Sequence, residues 1–256
     1  MSGDAIVVRK CQGVEEFRVC VDLQKEVWSF SDAELVPLRL FVVADKVGGQ
    51  VIGAFDGPRM VGFTLAVPGF RNTRRYLHSH MAAVQQDYRN AGVGRRMKLF
   101  QREEALGRGI ELVEWTFDPL EIKNSYFNLE RLGAISRRYH INQYGVTSSA
   151  LHGGLPTDRL IAEWWLRSKR VETLLQTGAN PGFDPVQTIS VPEEIQAWKA
   201  SPQTRERAAE VQQRNQREFL KAFGEGLAVL AYERDEKGNG KFVLGRWDEN
   251  WSYATK

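Results

Sequence analysis

The sequence is short of the features that mark several large protein classes. Its 256 residues include two cysteines, Cys11 and Cys20. Two are too few for a disulfide framework, and they lack the clustered spacing of a structural zinc site. We interpret both as buried thiols and expect no metal. No apolar run approaches the roughly 20 residues needed to cross a bilayer, and the first residues lack a signal-peptide core. These absences predict a cytoplasmic protein with no membrane partner.

An excess of charge of either sign is also lacking, because 35 basic residues face 32 acidic ones for a net charge of +3. This balance makes nucleic-acid binding a distant alternative. Basic residues do cluster at 71–75 and 89–98. The second cluster falls at a predicted helix start, where cations are unfavourable unless an anion joins them. It therefore indicates an anion site.

Hydrophobic periodicity predicts an alternation of strands and helices over the first two thirds of the chain. The predicted strands are 5–9, 50–55, 60–67, 76–84, 112–117 and 136–144, and the predicted helices are 14–29, 37–44, 93–107 and 122–132. This order predicts a mixed sheet with covering helices, of the α/β or α+β class.

A stretch rich in turn residues, TGANPGFDPVQT at 177–188, predicts a linker between a first domain, 1–176, and a carboxy-terminal extension, 189–256. We expect the extension to pack on the first domain. Its predicted elements are a short helix from Pro192, a helix from Ser201 to Phe223, and a hairpin of Leu227–Arg234 and Lys241–Trp247.

The loop RNAGVGR, residues 89–95, places two glycines at the start of a helix. Glycines let backbone amides crowd toward an anion, and the helix N-terminus adds partial positive charge, so the loop predicts a pyrophosphate site. The chain lacks Gly-Lys-Ser/Thr here, which excludes a Walker loop. Met97 occupies the third glycine position of the dinucleotide fingerprint. A plain tight turn is the alternative.

Two histidines precede this loop on a predicted strand. His78 and His80 are two residues apart, so we expect both side chains on one face, shared with Ala82 and Val84. A histidine with a pKa near 6.5 is suited to take a proton from an ammonium group. A pair of hydrogen-bonded structural histidines is the alternative.

The stretch VQQDYRNAGVGRRM resembles the acyl-CoA-binding motif of the GNAT N-acyltransferase superfamily, Q/R-x-x-G-x-G/A after a strand, matched by Arg89, Gly92 and Gly94. The predicted element order is also the family's, so the resemblance covers about residues 5–170. It implies a mostly antiparallel mixed sheet flanked by helices and a cosubstrate that is acetyl-CoA or another acyl-CoA. The CoA-binding residues that it implies are Ala82, Ala83 and Val84 for the pantetheine arm, and Arg89, Asn90, Ala91, Gly92, Val93, Gly94 and Arg95 for the pyrophosphate.

A similar H-x-H-x-x-A-V pattern in one member of the superfamily implies that His78 and His80 serve as general bases. The family often protonates the CoA thiolate with a tyrosine four residues before a glycine. Here that position is Leu129, so the sequence departs from the pattern. Tyr139 and Tyr144 could enter the site from the next strand, the first as a catalytic and the second as a substrate-binding residue. The acid stays unassigned.

A second string, from TFDPL to DRL, resembles a less characterised branch of the superfamily. Asn124 and Asn128 fall at i and i+4 of one helix face; the first is our candidate for CoA and the second for substrate. Asp118 is either a catalytic residue or the cap of a turn. Arg159 either binds a substrate carboxylate or pairs with Asp158.

The resemblance implies an enzyme that moves an acetyl or succinyl group from CoA to a small-molecule amine or amino acid by direct attack. A non-catalytic CoA-binding module or sensor is the alternative, suggested by the missing tyrosine and the extension. A homodimer is left open.

Overall fold

The computed structural model describes residues 6–145 and 152–247. Ala5, the first residue of the first predicted strand, lies outside them. The chain divides into two compact units, one formed by the residues up to Glu114 and the other by those from Trp115. No helix in the described ranges is both long and apolar enough to cross a membrane.

The first unit follows the predicted order of strands and helices. Its elements are β1 (Ile6–Lys10), α1 (Gly13–Trp28), α2 (Leu38–Lys46), β2 (Gln50–Asp56), β3 (Arg59–Arg71), β4 (Arg74–Val84) and α3 (Val93–Gly107), and the chain leaves it along β5 (Leu112–Phe117). Neighbouring strands from β1 to β4 are antiparallel, and β5 runs parallel to β4. The predicted mixed, mostly antiparallel sheet with covering helices is confirmed.

Apolar side chains fill both faces of this sheet. On one face Phe63 and Leu65 of β3 pack with Phe17 of α1 and Phe41 of α2. On the other face Met97 of α3 packs on β-strand residues. Both cysteines are buried, free thiols on the first of these faces. β4 therefore lies between α1 on one face of the sheet and α3 on the other.

The second unit contains the end of β5 and all later elements. These are α4 (Ile122–Tyr126), which continues as a π-helix (Phe127–Arg131), β6 (Tyr139–His140), β7 (Arg159–Trp165), α5 (Lys169–Thr177), β8 (Gln187–Val191), α6 (Ile195–Ala200), α7 (Arg205–Gly224), β9 (Leu227–Arg234) and β10 (Gly240–Arg246). β6 pairs antiparallel with β7, while β8, β10 and β9 form a separate antiparallel sheet.

The predicted sixth strand, 136–144, is wrong in extent, since only Tyr139–His140 forms a strand there. Ser136 makes an isolated bridge to Val229 instead, and Asn142 turns the chain at a φ of 47°. The chain returns along β7, which the sequence analysis did not predict. Predicted linker 177–188 begins at the end of α5 and ends on the first residues of β8.

The carboxy-terminal elements pack on the earlier part of the second unit. Ser136 bonds the backbone of Val229 in β9, and the ring of Tyr139 stacks on Phe219 of α7 at 5.7 Å. The extension therefore contributes to the core around β6.

Candidate functional site

The loop after β4 is held at its base by two buried side chains. The hydroxyl of Tyr88 donates to the carboxylate of Asp56 at 2.7 Å. The amide Nε2 of Gln85 donates to both carboxylate oxygens of Glu26 at 2.8 and 3.0 Å. These contacts fix the point from which the chain enters α3.

The N-terminus of α3 is open to a ligand. Asn90 and Gly92 adopt left-handed φ values of 62° and 77°, and no side chain caps the helix. The first amides of a helix have no intrahelical acceptor. Arg89, Asn90, Ala91 and Gly92 are exposed, so the chain enters the helix from the protein surface.

The remaining residues of the predicted pyrophosphate site differ in exposure. Gly94 and Arg95 are half-buried, while Val93 is 1% exposed and packs with Met97. Arg89 donates from Nε to the backbone carbonyl of Val84 at 3.1 Å. Val93 thus anchors the loop, and the loop presents backbone and arginine groups around it.

The histidines on β4 lie at an irregularity that the sequence did not reveal. The register with β3 pairs Leu65 with Met81 but Ala66 with Ser79, which leaves His80 as an extra residue. Ser79 accepts a hydrogen bond from Lys98 of α3 at 3.1 Å, whereas Met81 packs with the α1–α2 core. The strand therefore changes face at His80, as β-bulges do.

This bulge corrects the prediction that both histidines share a face with Ala82 and Val84. His78 pairs with Val67, which packs with the α1–α2 core, whereas Val84 packs with the α3 core. The ring centroids of His78 and His80 are 6.2 Å apart. Partial desolvation lowers the pKa of His80, although its side chain remains exposed.

A polar row that the sequence analysis missed lies beside His78. In the parallel ladder of β4 and β5, His78 is the register partner of Glu114. Nη1 of Arg71 lies 3.3 Å from both carboxylate oxygens of Glu114, and Nη2 donates to the hydroxyl of Tyr76 at 3.3 Å. Glu114, 2% exposed, is the single charge in the run LVEWTF.

Lys98 of α3 was also missed. It is 4% exposed, and Nζ donates to Ser79 and, at 2.7 Å, to Oε1 of Gln101. Desolvation lowers the pKa of Lys98 to about 7. The sequence signal that could have identified Lys98 as buried is its position next to Met97, which belongs to the apolar stripe of this helix.

Asp118, a predicted catalytic candidate, caps a turn after β5. Its Oδ1 accepts from the backbone N–H of Leu120 at 2.8 Å, and Oδ2 accepts from Nζ of Lys199 at 3.0 Å. Lys199 is 2% exposed and also bonds Glu121 at 2.9 Å. The two carboxylates raise the pKa of Lys199 despite its desolvation. This geometry favours the turn-cap interpretation of Asp118.

Asn124 of α4 and Asn128 of the π-helix that continues it lie in different surroundings. Asn124 is exposed, whereas Asn128 is 2% exposed and accepts from the indole N–H of Trp115 at 3.2 Å. The Nδ2 of Asn128 is buried without a hydrogen-bond partner in the described part of the chain. Asn124 is therefore the one open to solvent.

The tyrosines and Arg159 do not form one catalytic group. Tyr139 is buried and donates to the carboxylate of Asp158 at 2.7 Å; desolvation and that bond raise its pKa. Tyr144 is 45% exposed, and its hydroxyl lies 2.9 Å from Oγ1 of Thr116 at β5. These contacts commit Tyr139 to the core and leave Tyr144 accessible.

Arg159 does not use the predicted pairing with the carboxylate of Asp158. Its Nη1 donates to the backbone carbonyl of Asp158 at 2.9 Å, and Nη2 lies 2.7 Å from Nε2 of His152. The guanidinium carbon is 5.4 Å from the ring centre of Tyr144. Arg159 is 8% exposed, and these contacts make it a structural link within the second unit.

Leu129, where the family's tyrosine is expected, is fully buried. Its carbonyl accepts from Arg170 at 3.2 Å and from Asn180 at 3.1 Å. This position serves the core of the second unit and carries no acid. In the described ranges no cluster of three or more histidine, cysteine or acidic side chains is arranged to hold a metal.

Comparison with known proteins identifies the fold. No protein-family model and no curated protein matches the sequence. Solved structures do match. YncA from Salmonella typhimurium, solved with its cofactor acetyl-CoA, has a TM-score of 0.52 at 14% identity, over 66% of this chain and 98% of that one.

Two further structures agree with it. The ribosomal-protein-S18-alanine N-acetyltransferase from Escherichia coli has a TM-score of 0.51 at 13% identity, over 64% of this chain and 95% of its own. A protein from Desulfovibrio desulfuricans assigned to the GNAT family has 0.51 at 13%, over 63% and 99%. The chain has the fold of the GNAT acetyltransferases, and about a third of it extends beyond the aligned part.

Proposed function

We propose that this chain is an acyl-CoA-dependent N-acyltransferase that moves an acetyl or succinyl group from CoA to the amine of a small molecule or amino acid. The observation that carries the proposal is the exposed loop of residues 89–92, which leads from β4 into the N-terminus of α3, in a chain with the GNAT fold. The two left-handed residues, Asn90 and Gly92, turn the chain into the first turn of α3 beside the half-buried Arg95.

The loop of residues 89–95 is the proposed pyrophosphate site. Helix amides and the positive end of the helix dipole stabilise a bound phosphate. Arg95, in the first turn of α3, adds a cation where a bound dianion would offset its unfavourable position. The backbone of Ala82 and Ala83, ahead of the loop on β4, would hold the pantetheine arm, and Asn124 remains a candidate for a further CoA contact.

In the proposed reaction the amine nitrogen attacks the thioester carbonyl carbon. A C–N bond forms, the C–S bond breaks, and CoA leaves as a thiolate. The ammonium proton passes to His78, directly or through water, and the thiolate takes a proton from solvent. A neutral imidazole is required for this step, and His80, whose pKa is lowered by desolvation, is the second candidate acceptor.

The departing thiolate needs no dedicated acid, because a thiol pKa near 8.5 makes it a stable leaving group at neutral pH. Among the tyrosines, Tyr144 is the better candidate for a contact with the substrates, since its side chain is exposed while Tyr139 is buried and bonded to Asp158. We assign Tyr144 to substrate binding and no residue to proton donation.

Release of CoA, followed with a thiol reagent, tests the proposal. Purified protein is incubated with acetyl-CoA or succinyl-CoA and a panel of small amines, amino acids and short peptides. We expect amine-dependent release with at least one pair, and the panel also separates small acceptors from peptide amines. CoA binding without release under every acceptor would support the module or sensor instead.

Replacing His78 by alanine tests the base. General bases contribute about 100- to 10,000-fold to the rate, so turnover should fall within that range at pH 7 while the dissociation constant of CoA changes little. His80→Ala, which removes the second candidate acceptor on the exposed bulge, should cause a smaller loss. Equal turnover of His78→Ala and wild type would remove His78 from the mechanism.

A further inference from the structure

The polar row beside His78 contains a buried carboxylate. Glu114 is 2% exposed, and its contacts with Arg71 are 3.3 Å long. Charge-assisted N–H···O bonds are usually about 2.7–2.9 Å long, and burying a carboxylate is costly unless it is well paired. Arg71 is itself 35% exposed. Glu114 is therefore a buried carboxylate whose partner Arg71 is partly exposed.

His78 lies beside Glu114 on the neighbouring strand. Register partners in a parallel ladder project from the same face of the sheet, about 4.8 Å apart along the hydrogen-bonding direction. His78 and Glu114 are such partners. An ionised carboxylate has about four acceptor sites on its two oxygens, so Glu114 can serve Arg71 and an imidazole N–H together.

We propose that Glu114 is a positioning residue that orients the His78 imidazole and stabilises its protonated form, while Arg71 moderates the charge of the carboxylate. The inference rests on the proposed function, in which His78 accepts the ammonium proton. A carboxylate on one ring nitrogen leaves the other nitrogen as the acceptor.

Other charged groups near this part of β4 are arranged so that they largely offset one another. Arg74 pairs with Glu111 at 3.6 Å, and Lys98 lies on the opposite face, bonded to Ser79. The titratable or charged groups around His78 include Arg71, Arg74, Arg75, Tyr76, His80, Glu111 and Glu114 on the strands and their connections, Glu26 of α1, held by Gln85, and Lys98 of α3. Glu114 is the anion in register with His78.

Two substitutions test the inference because they act in opposite directions. Glu114→Gln removes the negative charge, and Arg71→Met removes the positive charge while leaving the carboxylate. A neighbouring opposite charge shifts a titration by about one pH unit or more. We expect the NMR titration midpoint of the His78 ring to fall by about one unit in Glu114→Gln and to rise in Arg71→Met. The chain has four histidines, and a His78→Gln spectrum assigns the signal.

Turnover gives the second readout. The acid limb of the pH–rate profile should follow the same two shifts, and kcat of Glu114→Gln should fall about tenfold with KM for the amine unchanged. Glu114→Asp should recover part of the loss. A purely structural ion pair predicts that both substitutions lower the melting temperature and leave the His78 midpoint in place, and that result would overturn the inference.

The NMR titration does not require turnover, so the two proposals fail separately. Wild-type protein without amine-dependent CoA release contradicts the proposed function, whatever the midpoints are. Active wild-type protein whose His78 midpoint ignores both substitutions contradicts the role of Glu114. If Glu114→Gln does not fold, Glu114→Asp decides the question, since drawing the carboxylate back by one methylene should lower the His78 midpoint by a fraction of the same shift.

Discussion

The segments that follow β4 and β5 use their polar groups in opposite ways. After β4, the loop through Asn90 and Gly92 is exposed and enters α3 through these two left-handed residues. After β5, Asp118 is satisfied by the N–H of Leu120 and by buried Lys199. Both segments look like site residues in the sequence, since both follow a strand. The difference teaches that such residues are available to a ligand only where the rest of the chain leaves them unsatisfied.

The largest effect that tests this contrast is expected at Lys199. Lys199→Met leaves Asp118 with a charge and without its cation. Breaking a buried pair from one side costs about 3–5 kcal/mol. We therefore expect the free energy of unfolding to fall by about that amount in urea titrations. For a chain of this size the melting temperature should drop by roughly 6–20 °C.

Lys123→Met, at an exposed position of α4, is the control and should change the free energy of unfolding by about 0.5 kcal/mol or less. Asp118→Asn distinguishes the cap from a catalytic residue. We expect lower stability but near-normal turnover well below the melting temperature. A folded Asp118→Asn protein that has lost turnover would restore Asp118 to the active site.

A smaller effect should distinguish the two buried lysines, Lys98 and Lys199, because they change the free energy of unfolding at different pH values. Desolvation lowers the pKa of Lys98 to about 7, against about 10.4 in the unfolded chain. Between these values the unfolded chain binds more protons than the folded one, so this group makes stability rise with pH from about 7 to 10. The slope is at most about 1.4 kcal/mol per pH unit. Lys98→Met should remove that rise and be more stable than wild type near pH 7.

Lys199 should behave differently in the same urea titrations. Its pKa is raised, so its contribution is fully present below the unfolded value and is lost only as the pH rises through the higher folded value. Lys199→Met should therefore leave the slope between pH 7 and 9 unchanged. Equal slopes for wild type and Lys98→Met would contradict the desolvation of Lys98.

The sequence predicts the first unit well because its signals are local. The stripe of α1 and the hairpin of β2 and β3 follow from periodicity and turn residues. β7 was missed because all seven residues of RLIAEWW are buried, so no alternation marks them. The bulge at His80 depends on pairing with β3, which spacing within β4 does not encode. Tertiary pairing therefore decided which of the predicted site residues share a face.

The candidate site also has a part that the sequence predicts and a part that only the fold reveals. The loop of 89–95 is predictable because glycine and a helix start are local features. Glu114 and His78 are 36 residues apart in sequence and become neighbours only through the register of two parallel strands. The partner of Asp118, Lys199, is 81 residues away. Contacts at such separations require the fold, and they decide which candidate is a ligand group and which is a structural one.

The smallest effect tests whether the loop after β4 is shaped for a ligand or is a plain turn. Gly92 has a φ of 77°, and an added Cβ would meet no atom within 4 Å, so Gly92→Ala introduces backbone strain alone. A left-handed non-glycine residue costs about 1–2 kcal/mol, which corresponds to about tenfold weaker binding of CoA if the bound loop needs this conformation. Gly107→Ala is the matched control, since it also meets open space at the end of α3 but without the positive φ. Calorimetric titration with CoA should show the loss for Gly92→Ala and none for Gly107→Ala. If both variants bind like wild type, the left-handed turn is a structural feature, and the contrast between the two segments loses its functional meaning.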